Sequence, residues 1–443
     1  MKEHIAAVAV FFAIIAALSS FLYLDGWADK KPLTVQSGTQ QEGQTSQQPS
    51  KPIYIYERYE NVERTELGNP NKELFKDLTS RNLWNIMVFD GGIFVGSGNY
   101  DISGGRAAIS RYDIALGQWE LCKIQYGDQV WDRTVEEQIA DFKIIDGVLY
   151  TPGIDANDHN KESSELDSWD FGNYYVYDGT NWKFERTIPD GVHVFDVEKY
   201  NGELFFGIGT KNASINPIKV KRADGTYTTY PIFVDGVDIT KTDELASFYR
   251  VYKIFTLNEK LYALLTGISN KGVSLLGFCE FDGEKFVLLS KVDTKVIRHN
   301  INRQTYPNDI AVWNGAFYYC TGKLFKTDDF QGYTEIVIPK STVCEDITVC
   351  DGKLYALTSL EKKTEVETEA GNKKGIKTET KTEITYENTI WECVGDELKK
   401  VYSFEYGING MSLVRDGDCF YVAMGHTNVE SEQNGNIIKI EYK

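Results

Sequence analysis

The feature that most constrains this chain is a hairpin that recurs seven times: an apolar strand, a turn opening on Asp or Asn, and a second apolar strand rich in Tyr and Phe. The copies fall at 85–98, 141–153, 196–209, 253–267, 309–322, 346–359 and 411–425. Their first turn residues are Asp90, Asp146, Asn201, Asn258, Asn314, Asp351 and Asp416, so the intervals are 56, 55, 57, 56, 37 and 65 residues. Asp-Gly and Asn-Gly, present in six of the copies, suit a type I′ turn because both of its central residues need positive φ. A second hairpin follows in most copies, at 110–122, 174–187, 218–232, 275–290, 323–338 and 389–404. Two hairpins make four antiparallel strands, the unit of a propeller blade. Apolar residues at 42%, with 13% aromatic, supply a core and favour strands over helices.

The pattern therefore predicts an all-β fold over 52–443: a seven-bladed β-propeller of four-stranded antiparallel blades. The last copy stops early and adds only 435–443 after its first hairpin. The segment 52–64 alternates like a strand and has no hairpin partner nearby, so it is expected to close the last blade and remove an exposed edge. Asp-Gly-Gly at 90–92, followed by Tyr112 and Trp119, resembles the kelch-like and galactose-oxidase-like propellers. The segment 326–334 also resembles a degenerate Asp-box of the sialidase-like propellers, a motif that serves as a structural turn.

Residues 5–24 carry no charge and match one crossing of a hydrocarbon core roughly 30 Å thick. Residues 1–31 are read as one N-terminal transmembrane helix or an uncleaved signal, and 32–51, rich in Gln, Ser and Thr, as a flexible linker. This predicts a single-pass protein of a bacterial-type cell membrane with its propeller extracytoplasmic, or a secreted one if the apolar segment is cleaved. A formal charge of −18 repels polyanions and excludes nucleic acid as the expected partner. Seven cysteines, an odd number without a CxxC pair, fit small buried hydrophobes in strands, with one or two disulfides open if the domain is extracytoplasmic.

The long connections, 97–109, 124–140, 154–173, 234–250, 290–308, 359–388 and 425–435, are all assigned by strand order to one face. Binding residues concentrate on variable loops held by a rigid scaffold, so that face is the expected working face. His159, His193, His299 and His426 map to it, and Trp131 and Trp169 are the aromatics expected to stack on sugar rings. Five residues before each turn stand Asn85, Asp141, Asp196, Lys253, Asp309, Asp346 and Met411. On the innermost strands these would ring the channel mouth, and Asp141, Asp196, Asp309 and Asp346 there are the candidate ligands of a hard cation such as Ca²⁺. The competing reading is that each Asp bonds the backbone of its own loop. Residues 361–388 alternate Thr with charged residues around Gly371 and Gly375, predicting a protruding polar hairpin.

No nucleophile-elbow, zincin, P-loop or dinucleotide-binding signature is present. The leading functional expectation is a non-enzymatic, membrane-anchored binding or scaffold module that takes a glycan, peptide or protein. The alternative is a glycan-active hydrolase or lyase using the channel-mouth carboxylates as acid and base.

Overall fold

The repeated turns fold as type I′ geometry demands. Asp90, Asp146, Asn201, Asn258, Asn314 and Asp351 hold φ between 48° and 52°, and each is followed by a second residue at positive φ. The last copy differs: Asp416 pairs with Cys419 across the hairpin and the turn begins at Gly417, φ 54°. The computed structural model describes residues 55–56, 62–75, 83–98, 106–156, 171–191, 193–209, 216–241, 248–268, 274–291, 309–372, 375–425 and 433–442. The chain divides into two compact units, Met1–Lys51 and Pro52–Lys443, and every described residue belongs to the second. The expected anchor and linker lie outside the described residues. Among the described residues no helix is long and apolar enough to cross a membrane.

The fold is nearly all β, and its unit is a four-stranded antiparallel meander. The first unit comprises Leu83–Phe89, Gly92–Ser97, Ile109–Asp113 and Gln118–Leu121; the second Lys143–Ile145, Val148–Pro152, Phe171–Tyr177 and Trp182–Pro189. The third holds His193–Tyr200, Glu203–Gly209, Ile218–Lys221 and Tyr227–Thr228. The fourth, Phe248–Leu257, Lys260–Ile268, Ser274–Phe281 and Phe286–Lys291, joins the third through one pair, Gly209 with Arg250. Asp309–Trp313, Ala316–Cys320, Leu324–Thr327 and Thr334–Ile336 make the fifth. The sixth contains Val343–Cys350, Lys353–Asn372, Gly375–Val394 and Glu397–Tyr406.

The last unit takes Gly410–Asp416, Cys419–Met424 and Ile437–Tyr442 from the C-terminal end, and its fourth strand is Val62–Gly68. The segment expected in that position was 52–64. The pairing strand instead starts at Val62, while Ile55–Tyr56 run parallel to the outer strand of the sixth unit. A short helix, Pro70–Phe75, follows with proline at its first position, where no hydrogen bond is lost. Asn69 caps it: its Oδ1 accepts the Asn71 and Lys72 amides at 3.0 and 3.1 Å.

One apolar cluster lies between each unit and the next. Phe94 and Ile109 of the first pack with Leu149, Tyr175 and Trp182 of the second. Ile188 then meets Val197 and Phe206, Phe205 meets Ile254 and Phe286, and Phe278 meets Phe317. Cys320 packs with Ile347 and Trp391, and Leu357 with Leu413 and Val422. Tyr421 and Ile437 of the last unit pack on Ile86 and Val95 of the first. Burying one such large side chain stabilises by about 1.5–3 kcal/mol. The seven cysteines are free thiols in this cross-section of core, five of them buried.

The connection 124–140 is not an open loop. Ile124–Tyr126 and Gln129–Trp131 form a hairpin running parallel to Trp182–Pro189 at the outer edge of the second unit. Ile232–Val234 does the same beside Phe286–Lys291 in the fourth. Sequence alternation over three residues is too short to separate such edge strands from loop.

Candidate functional site

The candidate site is built where the innermost strands of successive units approach one another. In five units the first strand carries a β-bulge whose extra residue is Trp84, Phe195, Tyr252, Glu345 or Met411. A bulge breaks the pleat and re-aims the following side chain, and those following residues are Asn85, Asp196, Lys253, Asp346 and Ser412. The seventh polar position is thus Ser412 and not Met411, because the last turn begins one residue later than its Asp suggested.

These residues reach across to the next unit. Asp196 Oδ2 accepts the amide of Ile254 at 2.8 Å, Asp346 Oδ2 that of Leu413 at 2.6 Å, and Ser412 Oγ that of Ile86 at 3.3 Å. Asp141, Asp196 and Asp309 also each accept the amide of the following residue. Two lysines lie among the carboxylates. Lys253 Nζ donates to Asp141 Oδ2, and Lys143 Nζ donates to both oxygens of Asp196 at 3.2 Å and to the Ile254 carbonyl at 2.5 Å, with Glu198 at 3.2 Å. Lys143 and Glu198 escaped the sequence reading. They stand two residues after Asp141 and Asp196, hence on the same strand faces, and that spacing was the available signal.

Burial governs the electrostatics. The Asp196 carboxyl, 1% exposed, is raised to about 6 by burial, against the pull of Lys143 and Lys253. Burial opposes the charge on Lys253, yet Asp141, Asp196 and Asp309 overcome it and hold the ammonium above its ordinary range. Lys143 is raised in the same way by Asp196, Glu198 and Asp141. Asp309 and Asp346 are a hydrogen-bonded carboxyl pair: burial raises both, and for Asp346 the neighbouring Asp309 adds to it. A carboxylate beside a second carboxyl disfavours loss of both protons.

The four carboxylates expected to hold a cation are engaged with other partners. Among the described residues no group of three or more His, Cys, Asp or Glu side chains is gathered to hold a metal. The reason is visible in the bonds above: Lys143, Lys253 and backbone amides occupy the oxygens of Asp141, Asp196 and Asp346 that a Ca²⁺ ion would need. The loop-cap reading is incomplete, since Asp196 and Asp346 each accept an amide of the next unit.

Trp131 sits on the outermost strand of the second unit, stacked on Tyr126 with centroids 5.6 Å apart. It is therefore five strands from the innermost one. His193 does lie near the ring, at the start of an innermost strand, stacked on Phe195 at 5.4 Å. Trp169, His159, His299 and His426 lie outside the described residues. Asn85 occupies its ring position with Oδ1 buried. The Asp-box-like segment is a structural turn: Thr327 Oγ1 accepts the Phe330 amide at 2.9 Å, and Phe330 is fully buried at φ 59°.

Beside the ring lies a patch that sequence reasoning did not single out. Phe195 and Tyr252, bulge residues of adjacent units, meet at 4.3 Å between centroids. The Arg250 guanidinium lies 5.8 Å over the Phe195 ring and donates to the Tyr252 hydroxyl at 3.3 Å. With His193, also half-buried, Phe195 and Arg250 make an aromatic and cationic surface over the buried Tyr252. An aromatic one residue ahead of a charged position in two consecutive copies was its only trace in the sequence.

The class that fold and site define is an all-β protein of repeated four-stranded antiparallel units whose first strands bring together a buried cluster of charges. No family model and no curated protein matches the chain. Among solved structures it is similar to a luciferin-regenerating enzyme, at 10% identity over 66% of this chain and 87% of that one, with a TM-score of 0.35. It is also similar to Sqt1 of Saccharomyces cerevisiae, at 9% identity over 82% and 97%, with a TM-score of 0.40. At that overlap the fold rests on the sheets described above.

Proposed function

We propose that residues 52–443 form one closed seven-bladed propeller of kelch-like type, held at a membrane by residues 5–24, and that it is a non-enzymatic binding or scaffold module for a glycan, peptide or protein. Support for closure comes from the apolar clusters, which link every unit to the next and the last to the first. The Trp119 indole adds to that seam by donating to the Leu67 carbonyl at 2.7 Å.

The observation that carries the binding reading is the half-buried patch of His193, Phe195 and Arg250, backed by the buried Tyr252, beside a ring whose charges are already spent on one another. Aromatic faces with a cation alongside give a ligand apolar contact and a polar anchor, whereas carboxylates tied to lysines and amides hold the units together. The test is capture on glycan and peptide arrays by the full chain. Phe195→Ala or Arg250→Ala should weaken any captured ligand by about tenfold or more, with thermal stability kept. Capture indifferent to both changes would sink the assignment.

A second reading, the glycan-active hydrolase or lyase, draws on the Asp309 and Asp346 pair, because a buried carboxyl raised above its ordinary range is better suited to act as an acid. Turnover of a glycan by the wild type that is lost in Asp309→Asn would favour it over the binding module.

A further inference from the structure

The third and second strands of the sixth unit, Gly375–Val394 and Lys353–Asn372, outrun their sheet. They stay paired with each other from Tyr355 with Glu392 to Asn372 with Gly375. The strand Val343–Cys350 covers one flank only as far as Ser359, and Glu397–Tyr406 covers the other only as far as Tyr386. Residues 361–372 and 375–385 thus form a two-stranded arm about 40 Å long at roughly 3.3 Å per residue. Among the described residues, the outer edge of 375–385 has no strand beside it. A free edge of this kind is a template for another strand.

The sequence of that edge, Ile376-Lys377-Thr378-Glu379-Thr380-Lys381-Thr382-Glu383-Ile384, is complementary to its own reverse. We propose that this edge pairs antiparallel with the same edge of a second copy of the chain, with Thr380 opposite Thr380 on the twofold axis. In that register Lys377 stands opposite Glu383 of the second copy, Glu379 opposite Lys381, Thr378 opposite Thr382, and Ile376 opposite Ile384. Every cross-strand pair is then opposite charges, Thr with Thr, or apolar with apolar, the combinations that stabilise neighbouring strands. The register is specific. Sliding one copy by two residues puts Lys377 opposite Lys381 or Glu379 opposite Glu383, and a parallel alignment sets like beside like. An edge that merely keeps itself soluble needs charge but has no need of this symmetry. The contact is isologous, so it closes at two copies and does not propagate. Thr380, Lys381, Thr382, Glu383 and Ile384 are exposed, the last at 45%.

The test is register-dependent crosslinking of the full chain. Directly opposed residues in an antiparallel pair have Cα atoms about 4.5–5.5 Å apart, within the span of a disulfide. Thr380→Cys should give a disulfide-linked dimer on mild oxidation with diamide. Thr382→Cys, which would face Thr378 of the other copy, should not, and the wild type serves as the control for its own thiols. Independently, K377E/K381E and E379K/E383K should each weaken self-association by about tenfold or more, and their equimolar mixture should restore it. Equal crosslinking at 380 and 382, none at 380, capture of a different protein through the 380 thiol, or a mixture that stays monomeric would each overturn the proposal.

Discussion

The acids Asp196, Asp309 and Asp346 are all raised by burial, and they differ in what they touch. Asp196 has Lys143 within 3.2 Å of both oxygens, so its charge has a partner. Asp346, 4% exposed, has another acid instead, and burial with Asp309 beside it lifts its carboxyl well above the ordinary value of 3.8. An acid raised in the folded state makes the folded chain bind more protons than the unfolded chain between the two pKa values. Stability from this group is therefore present below the unfolded value and falls as pH rises toward the folded one. Asp346→Asn imitates the protonated form. It keeps an acceptor for the Leu413 amide and gains a donor toward Asp309. The expected outcome, read by thermal unfolding across pH, is a melting temperature at about pH 7.5 no lower than wild type, with a flatter decline as pH rises above the ordinary carboxyl value of 3.8. A lower melting temperature at pH 7.5 would mean that the Asp346 charge is required.

Strands and turns carry the specificity of the meander. Gly207, on the second strand of the third unit, lies so close to the fourth that a Cβ there would sit 2.4 Å from the Val251 carbonyl oxygen. Gly207→Ala must push the two units apart, and denaturant unfolding should show a loss of about 1–3 kcal/mol; an unchanged midpoint would show that the seam is slack. The strand pattern was legible in the sequence because type I′ turns demand Asp-Gly or Asn-Gly and sheet faces demand alternation. The polar position before each turn was legible for the same reason, six times in seven. Its role was not. Whether Asp141 or Asp196 faces a cation or a lysine depends on which units are neighbours, and Lys143 lies 53 residues from its partner Asp196. The bulges that aim these side chains leave no local mark, and neither do the edge strands at 124–131 and 232–238, whose order comes from the sheet they join.

Across the whole molecule the two ends of the described chain meet in one sheet. Val62–Gly68 completes the last unit, the Asn69 side chain donates to the Asn434 carbonyl at 2.8 Å, and Trp119 of the first unit bonds back to Leu67. A repeat protein without such a junction would expose a strand edge at each end, and its terminal units would open first. The most direct test of a closed ring is native-state hydrogen exchange by mass spectrometry on the full chain. In a closed ring, amides of 62–68 and 437–442 are protected as strongly as those of 204–207 and 261–265 in the middle of the chain. Exchange of 62–68 on the timescale of open loops, with 437–442 following it, would contradict closure.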